Sequence, residues 1–302
     1  MELRQLRQFL AVIKHGSINR AAAALNLTQP SLSHSIKALE RSVGAQLLIR
    51  GGGGIRPTEI GVVFIRYAKN ILREAEKAQA EVSMMRGGGV GKLSIGTLSV
   101  FIPRFMPKVV SAFMETSADI VVDAFTFTYN SGQVFNDILS SEWDLALTLM
   151  GEDFDPPPEI RVQALGDYPS SVYCSPSHPL AGQRDVSLDQ LAAAHWVVTN
   201  VGSAENMLRH KFAEREHEAL IRMRVNSMNF AIAAARSSGL LCIAPDEAVA
   251  DEIRDGRLVR VDQSTIAPTA QIALLHSNLS ERTAAMRQFM SCCASHAATL
   301  KA

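Results

Sequence analysis

The chain has 302 residues, 47% of them hydrophobic, with thirty Lys and Arg against thirty Asp and Glu. That length predicts two or three domains, each with enough apolar residues for its own core. No apolar run reaches membrane-spanning length, and Glu2, Arg4 and Arg7 interrupt any export signal, so the sequence predicts a protein of the cytoplasm with no membrane partner. The formal neutrality hides an uneven layout. Residues 1–86 carry thirteen basic side chains against six acidic ones, whereas residues 87–302 carry seventeen against twenty-four. A basic end supplies the salt-dependent attraction to phosphates that nucleic-acid binding needs.

Leu3, Leu6, Phe9, Leu10 and Ile13 form the apolar stripe of a first helix ending at Gly16. Ser17 to Glu40 then spells two short helices joined by a tight turn. Ser17 is placed to cap the first, and Ala21 to Ala24 leave a small-residue face that lets a neighbour approach. Asn26-Leu27 breaks that helix, Thr28 caps the next, and Pro30 falls in its first turn, where a missing N–H costs nothing. Leu32, Ile36 and Leu39 share one face of the second helix, and Gln29, Ser31, Ser33, His34 and Lys37 the other. A donor-rich, nearly acid-free face is the composition of a helix that reads the DNA major groove. The competing reading is an alanine-rich helical hairpin with a solvated polar face. Leu47 to Arg50, the glycines Gly51 to Gly54, and Ile55 to Thr58 follow as a β-hairpin wing with Arg50 and Arg56 on its arms.

From Thr58 to about Met85 the spacing predicts one helix of about 40 Å. Ile65, Ala68, Leu72, Ala75 and Val82, with Gln79 among them, recur by threes and fours as a narrow seam, which predicts a dimer; an amphipathic helix lying on the next domain is the alternative. Beyond Gly87 to Gly89 strand-like and helical segments alternate. Strands are expected near residues 93–96, 120–125, 145–149, 171–174, 196–199, 222–225, 240–243 and 271–276, with helices between and a closing helix over 281–300. Ligands of open α/β sheets sit at the carboxyl ends of the strands. The loops there carry Thr97, Ser99 and Val100, then Thr128, Asn130 and Ser131, and in the second half Thr199, Asn200, Gly202, Ser203 and Asn226. Hydroxyls and amides in that position suit a small polar ligand, such as a carboxylate held by backbone N–H groups, although each alone is also the usual helix cap of a βα loop. Phosphate-loop, nucleophile-elbow and zinc-protease motifs are all missing, so no catalytic residue is assigned and no enzyme is expected. Cys174, Cys242, Cys292 and Cys293 lack metal-ligand spacing; no metal site is assigned, and they read as reduced, buried thiols, with a peroxide-sensing pair as the alternative.

The chain resembles the LysR-type transcriptional regulators. The matching residues are Leu3-Arg4-Gln5-Leu6 and Phe9, Gly16-Ser17 with Ala21-Ala22, Thr28-Gln29-Pro30-Ser31-Leu32-Ser33, Ile36, Leu39-Glu40, Gly44, Leu47-Leu48, Arg50, and Pro57-Thr58-Glu59-Ile60-Gly61. His34 stands where the family most often has arginine, and Gly53 where a basic wing residue is common; both remove fixed positive charge. The resemblance implies an α/β chain overall. Its parts would be an all-α winged helix-turn-helix domain over 1–58, a linker and dimerisation helix with hinge over 59–89, and a two-lobed, periplasmic-binding-protein-like effector domain over 90–302. Lobe 1 would take about 90–163 and 268–302, and lobe 2 about 164–267. Gln29, Pro30, Ser33 and His34 would then meet base edges or nearby backbone of double-stranded promoter DNA, while Thr28, Ser31, Lys37, Arg50 and Arg56 anchor phosphates. A small organic effector of unknown identity, without other cofactor, would sit between the lobes, and dimers would pair as tetramers that meet RNA polymerase. The alternatives are a regulator whose second part only assembles, a thiol redox sensor, and a solute-binding protein that acquired a DNA-binding end.

Overall fold

A computed structural model describes residues 1–51, 54–85, 91–127, 131–151, 154–199, 204–266, 269–278 and 282–300. The chain divides into two units, Met1–Lys92 with Asn136–Trp143, and Leu93–Phe135 with Asp144–Ala302.

The first unit opens with α1 (Leu3–His15), α2 (Ile18–Ala24) and α3 (Gln29–Val43). Their buried apolar residues are Leu6, Phe9 and Val12, then Ile18, Ala21 and Ala22, then Leu32, Ile36 and Leu39; of the stripe expected on α1, Leu10 and Ile13 are half-buried and Leu3 is exposed, while Val12 takes an inward place the stripe did not include. Gly16 ends α1 in the left-handed conformation, with φ +61°. Thr28 caps α3 by accepting the Ser31 N–H at 3.4 Å. Ser17 occupies the N-cap of α2 as expected, but its hydroxyl makes no capping bond. Past the end of α3, Glu40 accepts the N–H groups of Leu47 and Leu48 at 2.9 and 3.2 Å, which fixes the entry into the wing.

The wing is β1 (Leu48–Gly51) paired antiparallel with β2 (Gly54–Pro57), with Arg50 opposite Ile55 and Gly51 opposite Gly54. Thr58 then caps α4 (Glu59–Met85), accepting the Gly61 N–H at 2.8 Å while its own hydroxyl donates to the Gln46 carbonyl. A Cβ on Gly61 would lie 2.1 Å from the Leu47 carbonyl oxygen, so only glycine lets α4 start this close to the wing.

The seam expected on α4 is turned the other way. Ala68 and Leu72 lie in the core of their own unit at 0% and 8% exposure, with Ile65 and Phe64 packed beside them and the Phe9 and Phe64 rings edge to face at 5.5 Å. Ala75 is half-buried and Val82 exposed. The apolar stripe left uncovered is Ile60, Val63, Tyr67 and Ile71, at spacings of three, four and four. Further along the chain, Asn70 holds the segment Asn136–Trp143 by donating to the Leu139 carbonyl and accepting from the Ser141 hydroxyl, at 2.9 and 2.7 Å.

The chain continues with β3 (Gly91–Leu98), α5 (Phe105–Thr116), β4 (Ile120–Phe127), α6 (Ser131–Leu139), whose residues from Asn136 on belong to the first unit, β5 (Leu145–Met150) and β6 (Ile160–Cys174). Then come α7 (Leu188–Ala193), β7 (Trp196–Thr199), α8 (Ala204–Ala213), β8 (Ile221–Val225) and α9 (Met228–Ser238). The last elements are β9 (Cys242–Pro245), α10 (Ala250–Arg254), β10 (Val259–Arg260), β11 (Thr269–Ser277) and α11 (Ala284–Thr299).

Two lobes share one sheet. Strand order runs β10-β6-β11-β5-β3-β4, with β9 also on β6. β3 and β5 are parallel as expected, but β11 runs antiparallel to both β5 and β6. The sequence shows only residues 171–174 of β6 as a strand; the structure makes it fifteen residues long, because Ile160–Pro169 pairs with β11 while Ser170–Cys174 pairs with β9 and β10. This strand belongs to both lobes. In lobe 1, α5 and α11 cover the sheet through Phe105, Val109, Phe113, Phe289 and Met290, joined by Phe101 of the turn after β3. In lobe 2, successive strand residues point to opposite faces. Val172, Cys174, Trp196 and Val198 meet Leu191, Leu208 and Phe212 on one side, and Tyr173, Val197, Cys242 and Ala244 meet Ala231 and Ala235 on the other.

Candidate nucleic-acid interface and effector cleft

On α3 the residues Pro30, His34, Lys37 and Arg41 are exposed and recur at i, i+4, i+7 and i+11, opposite the buried Leu32, Ile36 and Leu39. Gln29 and Ser31 are exposed beside them, and Ser33 is half-buried, its hydroxyl accepting from Gln29 Nε2 at 3.0 Å. The exposed Thr28 is engaged as the cap. The only acid of α3, Glu40, is occupied with the two wing amides, so the exposed stripe carries donors and cations without a competing carboxylate. Behind it, Ser35 donates to the buried Gln8 and ties α3 to α1. Arg56 is exposed on β2 opposite Ile49; the Arg50 side chain and Gly53 lie outside the described residues. The sequence reading misses Arg41, which its position four residues after Lys37 would have revealed, and the exposed Asn19 and Arg20 of α2.

In the second unit, the turn Ser99–Phe101 follows β3, Thr199 ends β7, and Ser227 occupies the N-cap of α9 without a side-chain capping bond. The structure joins the lobes here. Asn229 Nδ2 of α9 donates to the Ser99 carbonyl at 3.2 Å, so the first turn of α9 lies against the loop after β3. Arg104, preceding α5, donates from Nε to Glu247 at 3.0 Å and from Nη1 to Asp251 at 2.6 Å, both in lobe 2, and these carboxylates hold its charge more firmly than usual. Of the expected ligand residues, Ser99 and Thr199 are half-buried and Asn226 is exposed. Two depart from expectation. Val100 is buried in the lobe 1 core, and Thr97 is fully buried with its hydroxyl directed to the Leu98 carbonyl at 3.4 Å, because both sit where β3 and its turn face inward. Thr128, Asn130, Asn200, Gly202 and Ser203 lie outside the described residues, as does the side chain of Ser131, which opens α6. Asn229, Arg104, Glu247 and Asp251 are absent from the sequence reading, since their pairing exists only once the lobes meet.

Glu205, in the first turn of α8, accepts from Arg209 and Arg224 at 2.8 to 2.9 Å, and these guanidinium bonds hold its carboxyl down to about 2. Burial pushes the Cys174 thiol up to about 11 and that of Cys242 up to about 12, the reverse of what a peroxide-reactive cysteine needs. Among the described residues no cluster of metal-binding side chains occurs, and no helix is long and apolar enough to cross a membrane.

Comparison with known proteins finds two family matches along the chain. Residues 3–62 match the bacterial regulatory helix-turn-helix protein, lysR family, and residues 86–298 match the LysR substrate binding domain. An SDS degradation transcriptional activation protein of a Pseudomonas species is 31% identical over 265 residues, covering 86% of this chain and 84% of the relative. A RuBisCO operon transcriptional regulator of Allochromatium vinosum is 29% identical over 297 residues, covering 96% and 95%. Among solved structures, ArgP from Mycobacterium tuberculosis shares the fold with a TM-score of 0.72 at 22% identity, over 97% of this chain and 96% of that one. Full-length CbnR complexed with its target DNA shares it with a TM-score of 0.67 at 21% identity, over 98% and 100%.

Proposed function

This chain belongs to the LysR family of DNA-binding transcription regulators with an effector-binding domain, not to a family of enzymes, and from that premise we propose how its surfaces divide the work. The observation that carries the reading is the exposed, acid-free stripe of α3 opposite a fully buried apolar face. Laid in the major groove of promoter DNA, it brings Gln29, Pro30, Ser33 and His34 to base edges or the adjacent backbone. Thr28, Ser31 and Lys37 then lie at phosphates, joined by Arg41 and by Arg50 and Arg56 of the wing.

A second copy of the chain covers the stripe Ile60, Val63, Tyr67 and Ile71 of α4, which sets two α3 helices on two half-sites; pairs of dimers and contact with RNA polymerase complete the assembly in the bacterial cytoplasm. A small organic effector, with carboxylates the first class to screen, takes the mouth between the lobes near Ser99, Thr199 and Asn226. The Asn229 and Arg104 contacts support this placing, because they cross between lobes beside that mouth. Genome-wide footprinting of the full-length protein tests the DNA reading, and sites without a repeated half-site pattern would overturn it. A thermal-shift screen of small carboxylates tests the effector reading; no stabilisation by any compound would favour a domain that only assembles.

A further inference from the structure

The glycines at positions 51 and 54 look equivalent in the sequence and are opposites in the structure. A Cβ on Gly51 would meet nothing within 4 Å, and its φ lies outside the left-handed region. Gly54 has φ +110°, and a Cβ there would lie 2.8 Å from the Gly16 carbonyl oxygen. That same oxygen accepts the Ile55 N–H at 2.9 Å. Gly16 is itself the left-handed residue that ends α1, so the direction of its carbonyl is set by the corner between α1 and α2. The wing is therefore pinned, backbone to backbone, to the corner from which the helix-turn-helix begins.

We propose that this joint aims the wing, making Gly54 a positioning residue for the phosphate contact of Arg56. Ile55 and Arg56 are neighbours on one strand and point to opposite faces. Ile55 is half-buried against the core of the first unit, and Arg56 is exposed. Any side chain at position 54 forces the strand away from the Gly16 carbonyl, breaks the Ile55 bond, and turns Arg56 with it. The inference rests on the reading of Arg56 as a phosphate contact, and the test separates the two.

Affinity of the full-length protein for its footprinted DNA is measured against salt for wild type, Gly54→Ala, Gly51→Ala and Arg56→Gln, with urea melts to follow folding. Each lost phosphate contact lowers the slope of log K against log salt by about 0.9, roughly a tenfold loss of affinity near 0.1 M salt. Arg56→Gln is expected to lose one such unit, Gly54→Ala at least as much, and Gly51→Ala none. A mere loss of stability would lower affinity without changing the slope. If Arg56→Gln leaves the slope intact, the wing contact itself is wrong. If Arg56→Gln lowers it and Gly54→Ala does not, the positioning role is overturned. A Gly54→Ala chain that fails to fold leaves a second measurement, hydrogen exchange of the Ile55 amide in the wild type. Slow exchange without DNA is expected, and exchange at the rate of an open loop would overturn the joint.

Discussion

At position 34 an exposed imidazole occupies the middle of the α3 stripe, four residues after Pro30 and three before Lys37. A guanidinium there carries a permanent charge and a two-pronged donor that fits guanine O6 and N7. His34→Arg is expected to raise DNA affinity and to steepen the salt slope by about one counterion, read by fluorescence anisotropy across a salt series. An unchanged slope would take residue 34 away from the DNA. The cysteines give a second prediction. Desolvation disfavours the thiolate at Cys174 and Cys242, and all four cysteines are free. Buried Cys174, Cys242 and Cys293 are expected to react with a thiol reagent only after denaturation, and peroxide to leave DNA affinity unchanged; fast native labelling of Cys174 or Cys242 would revive the redox reading. Single residues were legible where local chemistry decides them, as with Thr28 and the helix-ending Gly16. Arg104 and Asn229 were not, because nothing in their neighbouring sequence names Glu247, Asp251 or the Ser99 carbonyl as partners.

Elements show the same limit in a different form. The length of α4 follows from its periodicity, but periodicity does not say which of two apolar stripes faces which neighbour. Both stripes are apolar: Phe64, Ile65, Ala68 and Leu72 lie inward, and Ile60, Val63, Tyr67 and Ile71 outward. The inward one wins the intramolecular contact because Phe9 meets Phe64 there. The two therefore respond differently to charge. Tyr67→Asp, at a position 46% exposed, is expected to split the oligomer in sedimentation while the first unit stays folded. Leu72→Asp, at 8% exposure, is expected to destabilise that unit by roughly 3 kcal/mol or more, seen as a shifted urea transition. A Tyr67→Asp chain that sediments as the wild type would remove the outward stripe from the interface. The long β6 escaped the sequence reading for a related reason. Its first ten residues, Ile160–Pro169, alternate apolar and polar only as far as Ala164, then meet Leu165-Gly166 and end at Pro169, so pairing with β11 rather than local pattern extends the strand through them.

For the whole molecule, the order of winged domain, long helix and alternating strands and helices can be followed along the chain, whereas the lobe junction cannot. The Arg104 bridge lets that junction be tested. Arg104→Gln removes two charge-assisted bonds and takes the cation from Glu247, while Asp251 keeps Arg254 at 2.8 Å. The regulatory unit is expected to lose about 1–2 kcal/mol, a range reduced for the exposure of the Asp251 arm. Urea unfolding followed by fluorescence of the buried Trp196 checks it, and an unchanged midpoint would deny the bridge any part in holding the lobes.

The place of β11 and α11 in the chain has a consequence for how the protein is born. The first unit's helix-turn-helix and wing are complete once Met85 has been made. Lobe 1 is not, since its sheet lacks the strand between β5 and β6 until Thr269–Ser277 arrives, and its core lacks Phe289 and Met290 until α11 follows. At about 5–20 residues per second, synthesis leaves an interval on the order of 10–40 s in which a finished DNA reader trails an unfinished sensor. During that interval β5 lacks its β11 neighbour and α5 lacks the cover of α11, so the ribosome-bound regulator is at its most exposed to chaperones and proteases before it can respond to any effector.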